Sequence, residues 1–116
     1  MRQQKALETQ NLTRSCHEVL ILSILAEGPK HGYQLALELD GRSGGQFSFQ
    51  YGTLYPILHK LEKQGIIRGA WDEDSPRRKR KTYTVTPKGR RHLEAEVEAW
   101  QSFFTRFFTV VKGGET

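Results

Sequence analysis

The side chains best suited to chemistry in this chain are cations, and they fall in two places. "RRKRK", Arg77, Arg78, Lys79, Arg80 and Lys81, puts five basic residues in a row. "FQYGTLYPILHKLEKQGII", Phe49 to Ile67, adds His59, Lys60 and Lys63 to a stretch with helical spacing of leucines. Positive charge with no nucleophile or paired base beside it neutralises anions, and a run of it suits the closely spaced phosphates of a nucleic acid. An Arg at the tip of such a run also suits a narrow minor groove. The plainer alternative is a solvated loop and a solvated helix face. Asp72, Glu73 and Asp74, just upstream, would pair with the arginines when no polyanion is present.

Other chemistries find no support. His17, His31, His59 and His92 are scattered and Cys16 stands alone, so no zinc-binding spacing exists. His31 reads as a cap or a packed ring, and Cys16 as a small buried residue. "GRSGGQ" is glycine-rich but lacks the preceding strand and the lysine of a nucleotide loop. There is no nucleophile elbow and no pair of carboxylates in a plausible site. The expectation is a protein that is not an enzyme and holds no metal or cofactor.

A second feature is aromatic. Leu93, Val97, Trp100, Phe104, Phe107 and Val111 recur at spacings of four, three, four, three and four, and Phe103 and Phe108 widen the stripe. That spacing is an a/d seam. A small core leaves little to cover it, so a two-fold dimer is expected through Leu93, Val97, Trp100, Phe104, Phe107, Phe108 and Val111. The alternative is a helix folded back on its own domain. Trp100 beside Phe103 and Phe104 would also sandwich a flat aromatic ligand, although an aromatic on a seam is more often plain core.

Elements must position these groups. "SCHEVLILSILA", Ser15 to Ala26, is apolar nearly all round and reads as a central helix, with Ser15 and Glu18 as its capping box. Gly28 and Pro29 stop it. "HGYQLALELD" reads as a second helix with Tyr33, Leu35, Leu37 and Leu39 as apolar residues, broken by Asp40-Gly41. A loop follows, with a short strand expected around Phe47 and Phe49. The third helix spans about Gln50 to Gln64 and ends at Gly65. At about 100° per residue, Leu54, Ile57, Leu58 and Leu61 fall on its inner arc. Gly52, Thr53, Pro56, His59, Lys60 and Lys63 fall on the outer arc, with Tyr51 and Tyr55 between. Gly costs about 1 kcal/mol and Pro about 3 in a helix interior, so an irregularity is expected near Pro56. "IIRGAW" and "TYTVT" read as a hairpin with the basic run at its tip. Thr86-Pro87 then caps a last helix to about Val111.

This order, three helices, a hairpin and a long helix, gives a mainly α fold with a small β-hairpin: a winged helix-turn-helix plus a C-terminal helix. The expected divisions are a polar extension over 1–11, a winged-helix domain over 12–86, a dimerisation helix over 87–112 and a tail over 113–116. The 116 residues carry a formal net charge of +5, which favours a polyanion partner once the charge is localised as above. One cysteine allows no internal disulfide, no apolar run approaches a membrane span, and "MRQQKALETQ" has no apolar signal core. The expected setting is cytoplasmic, with no membrane partner.

"HGYQLALEL", "YGTLYPILHKLEKQGII" and "KTYTVTPKGRRHLE" together resemble the PadR family of bacterial transcriptional regulators. The resemblance runs from about Thr13 to the C-terminus and places the chain with the short members that have one C-terminal helix. It implies a winged helix that binds double-stranded operator DNA, usually as a repressor, a C-terminal helix that makes a homodimer, and in many members release by a small aromatic or phenolic effector. Carried over, Gly52 to Lys63 would be the recognition helix and Arg77 to Lys81 the wing. The DNA-facing residues would then be Tyr51, Gly52, Thr53, Tyr55, Pro56, His59, Lys60, Lys63, Arg77, Arg78, Lys79, Arg80 and Lys81. Trp100, Phe103 and Phe104 would meet an effector. The competing class is a winged helix that binds another protein and has lost specific DNA binding. Acidic or bulky apolar residues on the outer arc of the third helix would favour it, and Gly52, Thr53, Lys60 and Lys63 do not.

Overall fold

The computed structural model describes residues 12–72 and 80–113, with the side chain of Tyr51 outside that description. The elements run α1 (Leu12–Leu25), β1 (Lys30–His31), α2 (Gly32–Arg42), α3 (Tyr51–Lys63), β2 (Ile67–Trp71), β3 (Lys81–Val85) and α4 (Pro87–Val111). The sheet is antiparallel in the order β1-β3-β2, with Ile67 opposite Val85, Gly69 opposite Tyr83, and Lys30 also opposite Tyr83.

α1 is the central helix, as its all-round apolar run requires. Ile21, Leu22, Ile24 and Leu25 are buried, and they meet Leu35 and Leu39 of α2 and Leu54, Leu58 and Leu61 of α3. Ile66, Ile67, Tyr83 and Val85 close this core from the sheet side. Truncating any one of these leucines to Ala is worth about 2–5 kcal/mol.

Five local expectations are corrected. Ser15 does not begin α1, which starts at Leu12, so the capping box is absent and Ser15 faces α4 instead. The break at Asp40-Gly41 does not occur. α2 runs through Gly41 to Arg42, which bonds Glu38 one turn back and Glu27 after α1. Phe47 and Phe49 form no strand; Phe49 packs its ring edge-on against His17, with centroids 4.6 Å apart. A third strand, β1, joins the hairpin. Leu37 is 67% exposed rather than packed. The polar extension 1–11 and tail residues 114–116 lie outside the described residues.

The end of α3, the sheet and the start of α4 meet in one joint. Gly65 takes φ +75°, and the Ile66 and Gly65 N–H groups bond back to the Leu61 and Glu62 carbonyls in a Schellman turn. Thr86 caps α4: its Oγ1 accepts from the Gly89 N–H at 3.0 Å. The same hydroxyl donates to the Gly65 carbonyl at 2.6 Å, while the Thr86 backbone N–H donates to Ile66. Lys88 Nζ adds a bond to the Gln64 carbonyl at 2.8 Å, at the negative end of α3. At Gly89 a Cβ would lie 2.0 Å from the Ile66 carbonyl oxygen. Gly89→Ala should therefore lower stability by about 2–4 kcal/mol, since backbone rather than a flexible side chain would have to move. Gly41→Ala, in open space inside α2, should raise it by about 0.5–1 kcal/mol. Urea unfolding of the two variants measures both.

Candidate nucleic-acid interface

α3 is a continuous helix despite its glycine and proline. The expected irregularity near Pro56 is absent as a break. The missing Pro56 N–H leaves the Gly52 carbonyl without its donor four residues on, and both residues lie on the exposed face where water can compensate. The inner arc is as spaced: Leu54, Leu58 and Leu61 are fully buried and Ile57 partly so. Gly52, Thr53, Pro56, His59 and Lys63 are exposed. A Cβ at Gly52 would meet nothing within 4 Å, so packing does not require glycine there. Tyr55 is 43% exposed, yet its ring lies over the start of α2, where a Cβ on Gly32 would sit 2.9 Å from the Tyr55 hydroxyl.

The cations divide into two groups. Lys63 is exposed, whereas Lys60 Nζ lies 3.0 Å from Glu18 of α1. Lys81, at the base of the wing, is also held within the chain. Its Nζ is 2.8 Å from Glu62 of α3 and sits over the rings of Trp71 and Tyr83, 5.4 and 5.7 Å from their centroids. Gly69 makes room for that side chain, since a Cβ there would be 2.4 Å from the Lys81 stem. Burial, helped by the Glu62 charge, pushes the Tyr83 phenol up to about 12. Arg80 lies over the Tyr33 ring at 5.4 Å, and Tyr33 stacks in turn on His31, 5.8 Å away. These contacts tie the wing base to α2 and α3 and fix its direction relative to the exposed face of α3. Arg77, Arg78 and Lys79 lie outside the described residues. Sequence spacing did not disclose the partners of Lys60 and Lys81, because each pair joins elements far apart in the chain.

The seam residues separate along α4. Gly89, Glu96 and Ala99 are buried, and Leu93 packs against the core. Trp100 donates its Nε1–H to Ser15 Oγ at 3.0 Å, and Ser15 donates to buried Glu96 at 2.9 Å. Thus Leu93, Val97 and Trp100 are partly covered by the chain's own body. Beyond Ala99 none of the described residues is buried, and Phe104, Phe107, Phe108 and Val111 are 47, 48, 50 and 63% exposed. The rings of Phe104, Phe107 and Phe108 form a continuous ladder with Trp100 and Phe103, with neighbouring centroids 5.1–6.5 Å apart.

Elsewhere, an open groove of about 470 Å³ lies between α2 and the segment before α3, beside Leu37 and Phe49. Its acidic residue, Asp40, is already bonded to Ser48 at 2.5 Å. Cys16 is half-buried and burial pushes its thiol up, which disfavours the reactive thiolate. Among the described residues no group of His, Cys, Asp and Glu is placed to hold a metal ion, and no helix is long and apolar enough to cross a membrane.

The sequence matches the family model described as the transcriptional regulator PadR-like family over residues 21–95. A solved PadR family transcriptional regulator from Eggerthella lenta is 31% identical, with a TM-score of 0.73 over 92% of this chain and 90% of its own. PadR from Bacillus subtilis, solved in complex with operator DNA, is 26% identical, with a TM-score of 0.62; the match spans 68% of this chain and 44% of that one. The transcriptional regulator YqjI of Escherichia coli is 29% identical over 80 residues, 69% of this chain but 37% of YqjI. The fold, the bare outer face of α3 and the family match agree: this chain belongs to the PadR-like family of DNA-binding transcriptional regulators, which are not enzymes.

Proposed function

We propose that the protein is a cytoplasmic repressor that binds a two-fold operator as a homodimer. In this reading 12–86 is the DNA-binding domain and 87–112 the dimerisation helix. The observation that carries it is the first turn of α3, where an exposed glycine has no packing reason to be glycine. A bare turn lets the helix backbone approach a groove wall closely, and free N–H groups at a helix N-terminus favour phosphate. Thr53, Pro56 and His59 continue that face, and Lys63 adds charge. The wing tip around Arg77 to Lys79 would neutralise backbone phosphate on either side. The B. subtilis relative, solved in complex with operator DNA, supports DNA as the partner.

The exposed half of α4 supports the dimer. Phe104, Phe107, Phe108 and Val111 form an apolar stripe on a helix already fixed to the body by its first half. Two-fold pairing there would set recognition helices about one DNA turn, roughly 34 Å, apart. A planar aromatic effector would enter between the paired ladders at Trp100, Phe103 and Phe104.

Gel-shift titration on the DNA upstream of the protein's own gene, with competitor duplex, is the direct test. Specific binding is expected, and release by one member of a panel of planar aromatic compounds would place the effector. Binding abolished equally by any competitor would instead favour a protein-interaction winged helix. Gly52→Ala should stabilise the fold by up to about 1 kcal/mol in urea unfolding while weakening operator binding at least tenfold. Unchanged binding would remove α3's first turn from the interface. Lys63→Ala should flatten the slope of log affinity against log salt by about one. Phe107→Glu with Phe108→Glu should yield a monomer in sedimentation equilibrium.

A further inference from the structure

α1 touches both halves of the proposed regulator through side chains one turn apart. Ser15 Oγ accepts the Trp100 indole N–H at 3.0 Å, at the place where α4 passes from buried to exposed. Glu18 holds Lys60 of α3 at 3.0 Å, and the Glu18 side chain is 12% exposed against 41% for Lys60. A carboxylate so placed is poorly solvated and depends on its cation. Lys60 therefore reaches outward only by leaving Glu18. Residues three apart lie on one face of a helix, so a shift of this turn of α1 displaces both contacts together.

We propose that Ser15 and Glu18 are positioning residues that couple the aromatic ladder of α4 to the recognition helix. Glu18 competes with DNA phosphate for Lys60. Ser15, through its bond to Trp100, holds the turn of α1 that carries Glu18. Whatever occupies the seam beside Trp100, a second copy of this chain or a planar aromatic compound, thereby alters how readily Lys60 is released. The proposal rests on α3 being the DNA-facing helix, but the bond network it invokes is testable without DNA.

Two measurements decide it. In the Trp71→Phe protein the Trp100 indole N–H gives a single ¹H–¹⁵N resonance. Ser15→Ala should move it, Ser15→Thr should restore it, and Glu18→Gln should also move it, although Glu18 does not bond Trp100. A resonance indifferent to Glu18→Gln overturns the coupling. On a mixed-sequence duplex long enough for two half-sites, Glu18→Gln should tighten binding at low salt and steepen the salt slope by about one, because Lys60 becomes free for phosphate. Ser15→Ala should change the slope in the same direction by less, and that change should vanish in the Glu18→Gln background. A Ser15→Ala effect that persists there, or none at all, overturns the proposal. If no variant binds duplex, the DNA reading alone fails and the indole resonance still decides the coupling.

Discussion

The structure depends on one crowded joint, where the Thr86 hydroxyl and the missing side chain of Gly89 let α4 start directly against the end of α3. The hydroxyl donates to Gly65 and accepts from Gly89, while the Ile66 carbonyl already receives the Thr86 N–H. Each bond is worth about 1 kcal/mol by itself. Their joint effect is geometric: Gly65 must turn left-handed to bring Ile66 round, and Gly89 must lack a Cβ to let the helix in. α3, the sheet and α4 are then fixed to one another at a single point. Together with the Lys81 and Arg80 contacts, it sets the tilt of the exposed face of α3 relative to the wing.

Charge within this frame is more constrained than a count of basic residues suggests. Lys60 and Lys81 both answer carboxylates, and both pairs link separate elements. Lys81 is further enclosed by Trp71 and Tyr83, so its charge helps to orient the wing. Lys63, last on the outer face of α3, has no comparable enclosure. A partly buried pair contributes little net stability, since desolvation offsets attraction, but loss of one member is costly. Such pairs specify geometry, which a recognition surface needs.

Patterns of local origin were legible in the sequence. The inner arc of α3, the Thr86-Pro87 cap, the alternation of β3 and the glycine stop after α3 all arise from neighbouring residues, and the structure carries each of them. Features set by distant residues were not. β1 has two residues and no period to detect; it exists because β3 offers an open edge to Lys30 and His31. Gly41 looked like a breaker, but α2 is carried past it by Arg42 pairing with Glu38 and Glu27. Ser15 and Glu18 matched a capping box in spacing, yet each serves an element far along the chain, α4 in one case and α3 in the other. At the candidate site, the exposed residues of α3 were readable from helical phase alone. Which of the lysines were already occupied was not, because no sequence spacing encodes a contact between residues 42 positions apart.

α4 combines two roles that usually belong to separate elements. Its first half carries Gly89, Leu93, Glu96 and Ala99 into the body, and its second half leaves the body with five aromatic side chains in sequence from Trp100. The radius of gyration, 16.4 Å, exceeds the roughly 13 Å of a compact domain near this length, as a projecting helix requires. Had the whole stripe packed inward, the head would be closed and no apolar surface would remain for a second chain. Had the whole stripe faced outward, only the joint at Thr86 and Gly89 would hold the helix to the body. The division at Ala99 avoids both. In the proposed homodimer the paired ladders would sit on helices already locked to their own heads through Glu96, Ser15 and Trp100. The spacing of the two recognition helices would then be set by rigid helix geometry rather than by a flexible linker. A change beside Trp100 would reach the heads through packed side chains, because the polar edge of that indole is already part of the joint between α1 and α4.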